Sequence, residues 1–426
     1  MADGWTDQRQ RTLINFLVYY LAGMSFVKTF DASDVIKTAN ALFNLFADII
    51  EWVGPGNIVH VVTDNAANYV STGKLVHEKY PNIFWSPCAS HYINIILKDI
   101  TSIPHIADLA SCTSKVTVFV YNHMILLSWL RKRKSWTEIV RPGVTRFATV
   151  FITLKSIYDH KEDLQSLMVD KYFTSHKLSK SVNGKIVSSI VLDSKFWQDC
   201  VTTVKIVGPL IKLLRLVDAD EKFSLGIVYE GMQRAKNAIK TMFRNRKASY
   251  TPYTSILKMR WDKHLKRDLY AVAYFLNPGI FYSEGFVEKV NVLRSLLDLL
   301  DVETLCDDSI AAIQEIQLYQ DCKESFGRES AKRAASKLEP DFWVMAHEDD
   351  PEFTNGDVEG IKSLIYTNND MPSYPNDGGD MEVEVDMLDV VIESSNTSFG
   401  GISEDAGFGL PIYDGDNKTL NDDYDF

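Results

Sequence analysis

The stretch Asn57–Thr63 (Asn-Ile-Val-His-Val-Val-Thr) constrains the fold more than any other part of the chain. It is short, apolar and rich in β-branched residues, and Gly54-Pro55-Gly56 closes it off on the N-terminal side. β-Branched side chains keep their preferred rotamers on a pleated surface, and a Gly-Pro-Gly triplet stops a helix. Before the triplet, Val35, Ile36, Ala39, Leu42, Phe43, Phe46, Ile49, Ile50 and Val53 recur at helical spacing, with Ser33 or Asp34 placed to cap them. A helix that leads into a buried strand predicts a parallel neighbour, because parallel strands need a crossover. The chain therefore opens as α/β.

Two further strands are predicted upstream, Thr12–Tyr20 and Met24–Phe30, close enough to form a hairpin through Leu21-Ala22-Gly23. Downstream, the spacing predicts a helix over 66–79, a short strand at Ile83–Trp85 and a helix from about Ala89 to Ile100. Residues 1–102 thus read as a mixed α/β sheet in the order β-β-α-β-α-β-α. Residues 103–346 read as a large helical domain, with long periodic segments at Trp197–Leu216, Ser224–Phe243 and Val287–Leu300 and a weak strand or loop near Lys185–Leu192. From residue 347 the chain is polar and acidic and is expected to be disordered, with Met381–Ile392 able to form a strand or an induced helix.

Charge divides the chain more sharply than its net −12 indicates. Glu348–Phe426 carries 21 acids against two bases, whereas residues 1–347 carry 43 bases against 36 acids. A basic body permits nucleic-acid binding, and an acidic tail can repel nucleic acid or fold back on a basic surface. No run of 18 apolar residues is present, so a membrane span is not expected. The N-terminus has no charged start followed by an apolar run, so a secretory signal is not expected either. Five scattered cysteines without a CxxC pair fit a reducing compartment and exclude a zinc ribbon.

Four groups of residues can carry chemistry. Asp64 follows the buried strand directly, where open α/β sheets form their ligand crevice. Paired with Asp3, it can bridge divalent metals for phosphodiester chemistry. Equally, Asp64 can simply cap the next helix. Cys88 and His91, three apart, share a helix face; as a lone pair they fit packing as well as metal ligation. Arg146, followed by Phe147, stands near a helix start after the turn at Pro142-Gly143, where an arginine reaches a phosphate or forms an ion pair. The basic set comprises Arg131, Lys132, Arg133 and Lys134, then Lys236, Lys240, Arg244 and Lys247 at helical spacing, then Lys258, Arg260, Lys263, Lys266 and Arg267 around Trp261. Such stripes track a phosphate backbone or form a solvated helix face.

Taken in order, "DGWTD" at 3–7, "TLINFLVY" at 12–19, "VTDNAANY" at 62–69, "WSPCASHYIN" at 85–94, "RPGVTRFATVFITL" at 141–154, "RWD" at 260–262 and "AYFLNP" at 273–278 resemble plant transposase proteins of the hAT superfamily. The resemblance runs through the domain of unknown function that covers their catalytic core. It implies an RNase H-like fold interrupted by a helical insertion, and a metal-binding Asp-Asp-Glu triad that cuts and joins DNA. Asp3 and Asp64 take the places of the first two acids, with Mg2+ or Mn2+ as the implied cofactor. Cys88 and His91 match the family's Cys-x-x-His element. Arg146 and Phe147 stand where the family often has Arg-Trp.

The departures set further expectations. The family's Glu lies in a Ser-x-Glu-Arg-type segment of a C-terminal dimerisation region. It is expected after Pro278, beyond the "PDFW" element at 340–343, and no segment from Val344 to Phe426 matches it. The N-terminal BED-type zinc finger is not found, and the first strand of the core is expected to be cut because two residues precede Asp3. The reading is a transposase-derived, catalytically defective protein. Its basic body, with Arg131, Lys132, Arg133, Lys134, Lys258 and Arg260, would contact DNA in the nucleus. The alternatives are an active metal-dependent transposase or nuclease, using another acid such as Glu303, Glu315, Glu324 or Glu329, and an interaction scaffold whose acidic tail binds a protein partner. The family's homodimer is not carried over.

Overall fold

Period-2 and period-3.6 patterns resolve into a mixed, mostly helical α/β chain. The computed structural model describes residues 1–338, except 8, 21–22, 35–37, 135, 141–147, 219–224 and 284. Met1–Ile365 form one unit and Tyr366–Phe426 a second, which lies wholly outside the described residues, as does the whole segment expected to be an acidic tail.

Strands β1 (Ala2–Thr6), β2 (Thr12–Tyr20) and β3 (Gly23–Asp31) form an antiparallel sheet in the order β1-β2-β3. β1 pairs with β2 along all five of its residues, and Asp3 lies within the strand opposite Asn15. Local pattern gives no signal for β1, because only Ala2 of its five side chains is buried; its partner strand decides its conformation. Strands β4 (His60–Thr63) and β5 (Phe84–Pro87) pair in parallel, from His60 opposite Phe84 to Thr63 opposite Pro87. β1 lies against β4.

Helix α1 (Ala39–Val53) starts later than Ser33 or Asp34 would place it. Thr38 is its cap, with Oγ1 accepting the Ala41 amide at 3.1 Å. The helix stops at Gly54, whose φ of 94° suits a residue without Cβ. Helix α2 (Ala67–Lys79) lies against α1 and β5, and α3 (Ala89–Thr101) follows β5 directly. Ile14, Phe16, Leu42, Phe46, Ile50, Val61, Val76 and Ile83 form one buried cluster between these elements. Each such side chain contributes roughly 1.5–3 kcal/mol on burial.

The helices that follow are α4 (Pro104–Tyr121), α5 (Met124–Arg131), α6 (Ala148–Asp159), α7 (Lys161–Val169), α8 (Lys171–Thr174), α9 (Lys177–Lys180), α10 (Val182–Leu192) and α11 (Ser194–Asp218). Then come α12 (Leu225–Met242), α13 (Lys247–Arg260), a π-turn at Trp261–Leu265, α14 (Asp268–Phe275), α15 (Pro278–Phe281), α16 (Val290–Leu300), α17 (Ser309–Gln320) and α18 (Glu329–Leu338). The weak strand or loop expected at 185–192 is helix α10. Its β-branched residues favour a strand locally, but Gly184, Val187 and Val191 share one buried helical face turned to α4 and α7. The basic residues at 236–247 do not share one helix. Arg244 and Asn245 take positive φ (50° and 56°) and turn the chain from α12 into α13.

Candidate functional site

β4 and β5 end side by side, so the residues just beyond them, Asp64 and Cys88, leave the sheet together. The Cys88 amide donates to the Thr63 carbonyl at 2.7 Å, extending the parallel ladder by one step. Thr63 is buried and fixed on two sides: its Oγ1 donates to the Asp64 carbonyl at 2.7 Å and accepts from Trp85 Nε1 at 3.0 Å. Asp64 is half-buried, and its Oδ1 accepts the Ala66 amide at 2.9 Å. This is a turn contact and not the expected helix cap: the N-cap of α2 is Ala66, which has no side-chain cap hydrogen bond.

Asp3 approaches from β1. It is exposed, and its ladder partner Asn15 accepts from Thr29 Oγ1 at 2.8 Å. Beside β1 lies Tyr69, on the first turn of α2. Its ring packs edge-on to Phe46, with centroids 6.3 Å apart, and it is 3% exposed. A Cβ added to Gly4 would come within 3.3 Å of Tyr69 Oη, so the hydroxyl rests against β1 one residue from Asp3. Burial, then the carboxylates of Asp64 and Asp3, push this phenol up to about 12. The hydroxyl has no hydrogen-bond partner among the described residues. A buried polar group left unpaired costs about 1–3 kcal/mol.

On the other flank, burial pushes the Cys88 thiol up. Asp218 and Asp3 add to that effect, and the amides of His91 and Ser90 oppose it. Ser90 Oγ donates to Asp218 Oδ1, joining the end of α11 to the start of α3. Asp218 and Asp3 thus both act on Cys88. His91 is exposed. No group of three or more His, Cys, Asp or Glu side chains arranged to hold a metal occurs among the described residues.

The remaining candidates lie elsewhere. Arg131 Nε pairs with Glu138 Oε1 at 2.7 Å. Arg133 reaches Asp163 at 3.9 Å and lies over the Trp129 ring at 4.0 Å. Lys132, Lys134 and Lys258 are exposed. Arg260 is engaged by Asp99 through two hydrogen bonds. Arg146 and Phe147 lie outside the described residues. Sequence reasoning missed Tyr69 and Asp218. Tyr69 closes the quoted "VTDNAANY" segment, which was a usable signal; nothing around Asp218 marks it.

No curated protein matches the chain. Residues 1–116, which hold Asp3, Asp64, Tyr69, Cys88 and His91, match the family model described as "Domain of unknown function (DUF659)", a family found in hAT-type transposase-like proteins.

Proposed function

We propose that the protein is a nucleic-acid-binding derivative of a hAT-type transposase, with an RNase H-like core that does not itself cleave DNA. The observation that carries this reading is the placement of the two acids: β1, which holds Asp3, lies against β4, which Asp64 follows directly, and the buried Tyr69 hydroxyl rests against Gly4 beside Asp3. The strand arrangement supports the core: antiparallel β3-β2-β1, β1 against β4, and β4 parallel to β5.

Two carboxylates form an oxygen donor set that suits a hard divalent cation, and an orphaned hydroxyl beside them offers a further polar contact. Asp3 and Asp64 are the residues that would hold Mg2+ or Mn2+, which supplies Lewis-acid polarisation of a phosphoryl oxygen when bound. The non-cleaving part of the reading rests on the acid set: no group of three or more His, Cys, Asp or Glu side chains arranged to hold a metal occurs among the described residues, and misplacing reacting groups by about 1 Å costs on the order of 100-fold in rate. Exposed Lys132, Lys134 and Lys258 supply cations for phosphate contacts. A nuclear location and a protein partner for the acidic segment 348–426 belong to the same reading.

The test is a salt titration of duplex-DNA binding by the full chain and by a chain lacking 348–426, with strand cleavage assayed in Mn2+. Affinity should fall steeply with salt and rise on truncation, with no cleavage. Salt-independent binding by the shortened chain overturns the reading.

One observation favours the second reading, a metal-dependent strand-cleaving enzyme. Asp218, held by Ser90 at the start of α3, is a further acid on the flank that carries Cys88. Cleavage abolished by Asp64→Asn and by Asp218→Asn alike would establish that reading.

A further inference from the structure

Tyr69 does more than its place in the core requires. Its ring fills space beside Phe46, and a phenylalanine would fill it equally well. The hydroxyl is what packing leaves unexplained. It is buried, has no partner among the described residues, and lies in the field of two carboxylates, Asp3 of β1 and Asp64 just beyond β4. Gly4 leaves room for it: any side chain there would crowd Oη from 3.3 Å. A hydroxyl offers two lone pairs and one proton. Neither the proton nor the lone pairs of Tyr69 Oη meet a partner among the described residues.

We propose that Tyr69 is a positioning residue for the Asp3–Asp64 site, its Oη accepting a hydrogen bond from a water of the hydrated divalent cation that the two acids hold. The inference rests on the two-carboxylate reading above and adds to it a third, uncharged participant. A small divalent cation keeps several of its waters, and a water on a cation is a strong donor. Outer contacts of this kind orient a site and change metal affinity by about 10- to 100-fold.

The test is Mn2+ binding by isothermal titration calorimetry on the full chain. It compares the wild type with Tyr69→Phe, Asp3→Asn and Asp64→Asn. The Asp3→Asn/Asp64→Asn double variant serves as the blank for weak binding along the acidic segment. Tyr69→Phe should bind Mn2+ about 10-fold more weakly, while melting in chelator at the wild-type temperature or above it. A Tyr69→Phe chain that binds Mn2+ as the wild type does, while the aspartate variants lose it, overturns this inference and leaves the two-carboxylate reading standing. Wild-type binding no stronger than the blank overturns both. A lower melting temperature for Tyr69→Phe in chelator also overturns the inference, since it would show that the hydroxyl serves the fold itself.

Discussion

Asp99 and Arg260 lie 161 positions apart and meet through two hydrogen bonds, Arg260 Nε to Asp99 Oδ2 at 2.6 Å and Nη2 to Oδ1 at 3.1 Å. The pair fastens the last turn of α3 to the end of α13. One residue later the π-turn begins, and within it His264 stacks on Tyr92 of α3 at 4.6 Å. α3 also carries Ser90 at its start, so what fixes α3 also fixes one flank of the candidate site.

Arg260→Ala should therefore destabilise the chain by about 1–3 kcal/mol, since it leaves Asp99 partly buried without its partner. Arg260→Lys should recover only part of this, because an ammonium cannot reproduce a two-pronged contact. Denaturant titration reads both. If Arg260→Ala unfolds at the wild-type midpoint while DNA binding weakens, the arginine serves the ligand and not the fold.

A second expectation concerns Gly73, where α2 crosses β5. A Cβ there would stand 2.3 Å from Trp85 Cγ. Gly73→Ala should displace the indole, break its 3.0 Å hydrogen bond to Thr63 Oγ1, and cost about 1–3 kcal/mol from overpacking. Trp fluorescence and thermal melts would record it. An unchanged melt would mean that α2 shifts freely on the sheet, so the Asp64 turn is less fixed than these contacts imply.

Acid should weaken the fold through His60. Burial holds its imidazole down from the ordinary 6.5 to about 4, with Nε2 at 2.8 Å from Ser86 Oγ. Between those two values the unfolded chain takes up a proton that folded His60 does not. Stability contributed by neutral His60 is complete above about pH 6.5 and is lost as pH falls toward 4, on the order of 3 kcal/mol in all. His60→Gln should flatten this part of the stability–pH curve. Parallel curves for variant and wild type across the window would refute the assignment.

The exposed lysines should act on binding alone. Replacing Lys132, Lys134 and Lys258 with alanine should leave the melting temperature within a degree or so and lower the slope of log affinity against log salt. Each phosphate contact removed lowers it by about 0.9. An unchanged slope would place the nucleic-acid surface elsewhere.

Much of the local structure is legible in the chain itself. Thr12–Tyr20 is read as a strand with the bounds it has, and helix 66–79 differs from α2 by one residue. Both carry a strong period bounded by turn residues, and such signals are local. The errors have the same origin. Residues 185–192 are β-branched enough to resemble a strand, yet their burial against α4 and α7 makes them helical. β1 has almost no apolar pattern and exists because β2 pairs with it. The basic residues at 236–247 keep a helical period across a turn that Arg244 and Asn245 make with positive φ.

The site divides along the same line. Sequence alone marks Asp3 and Asp64 as acids worth joining and places Asp64 at a strand end, because a strand terminus and its following turn are decided within a few residues. It says nothing of Tyr69 Oη resting beside Gly4, of Ser90 donating to Asp218, or of Asp99 holding Arg260. Those relations span 65, 128 and 161 positions. They depend on which helix face and which strand edge meet once the core closes, and only the packed tertiary structure decides that.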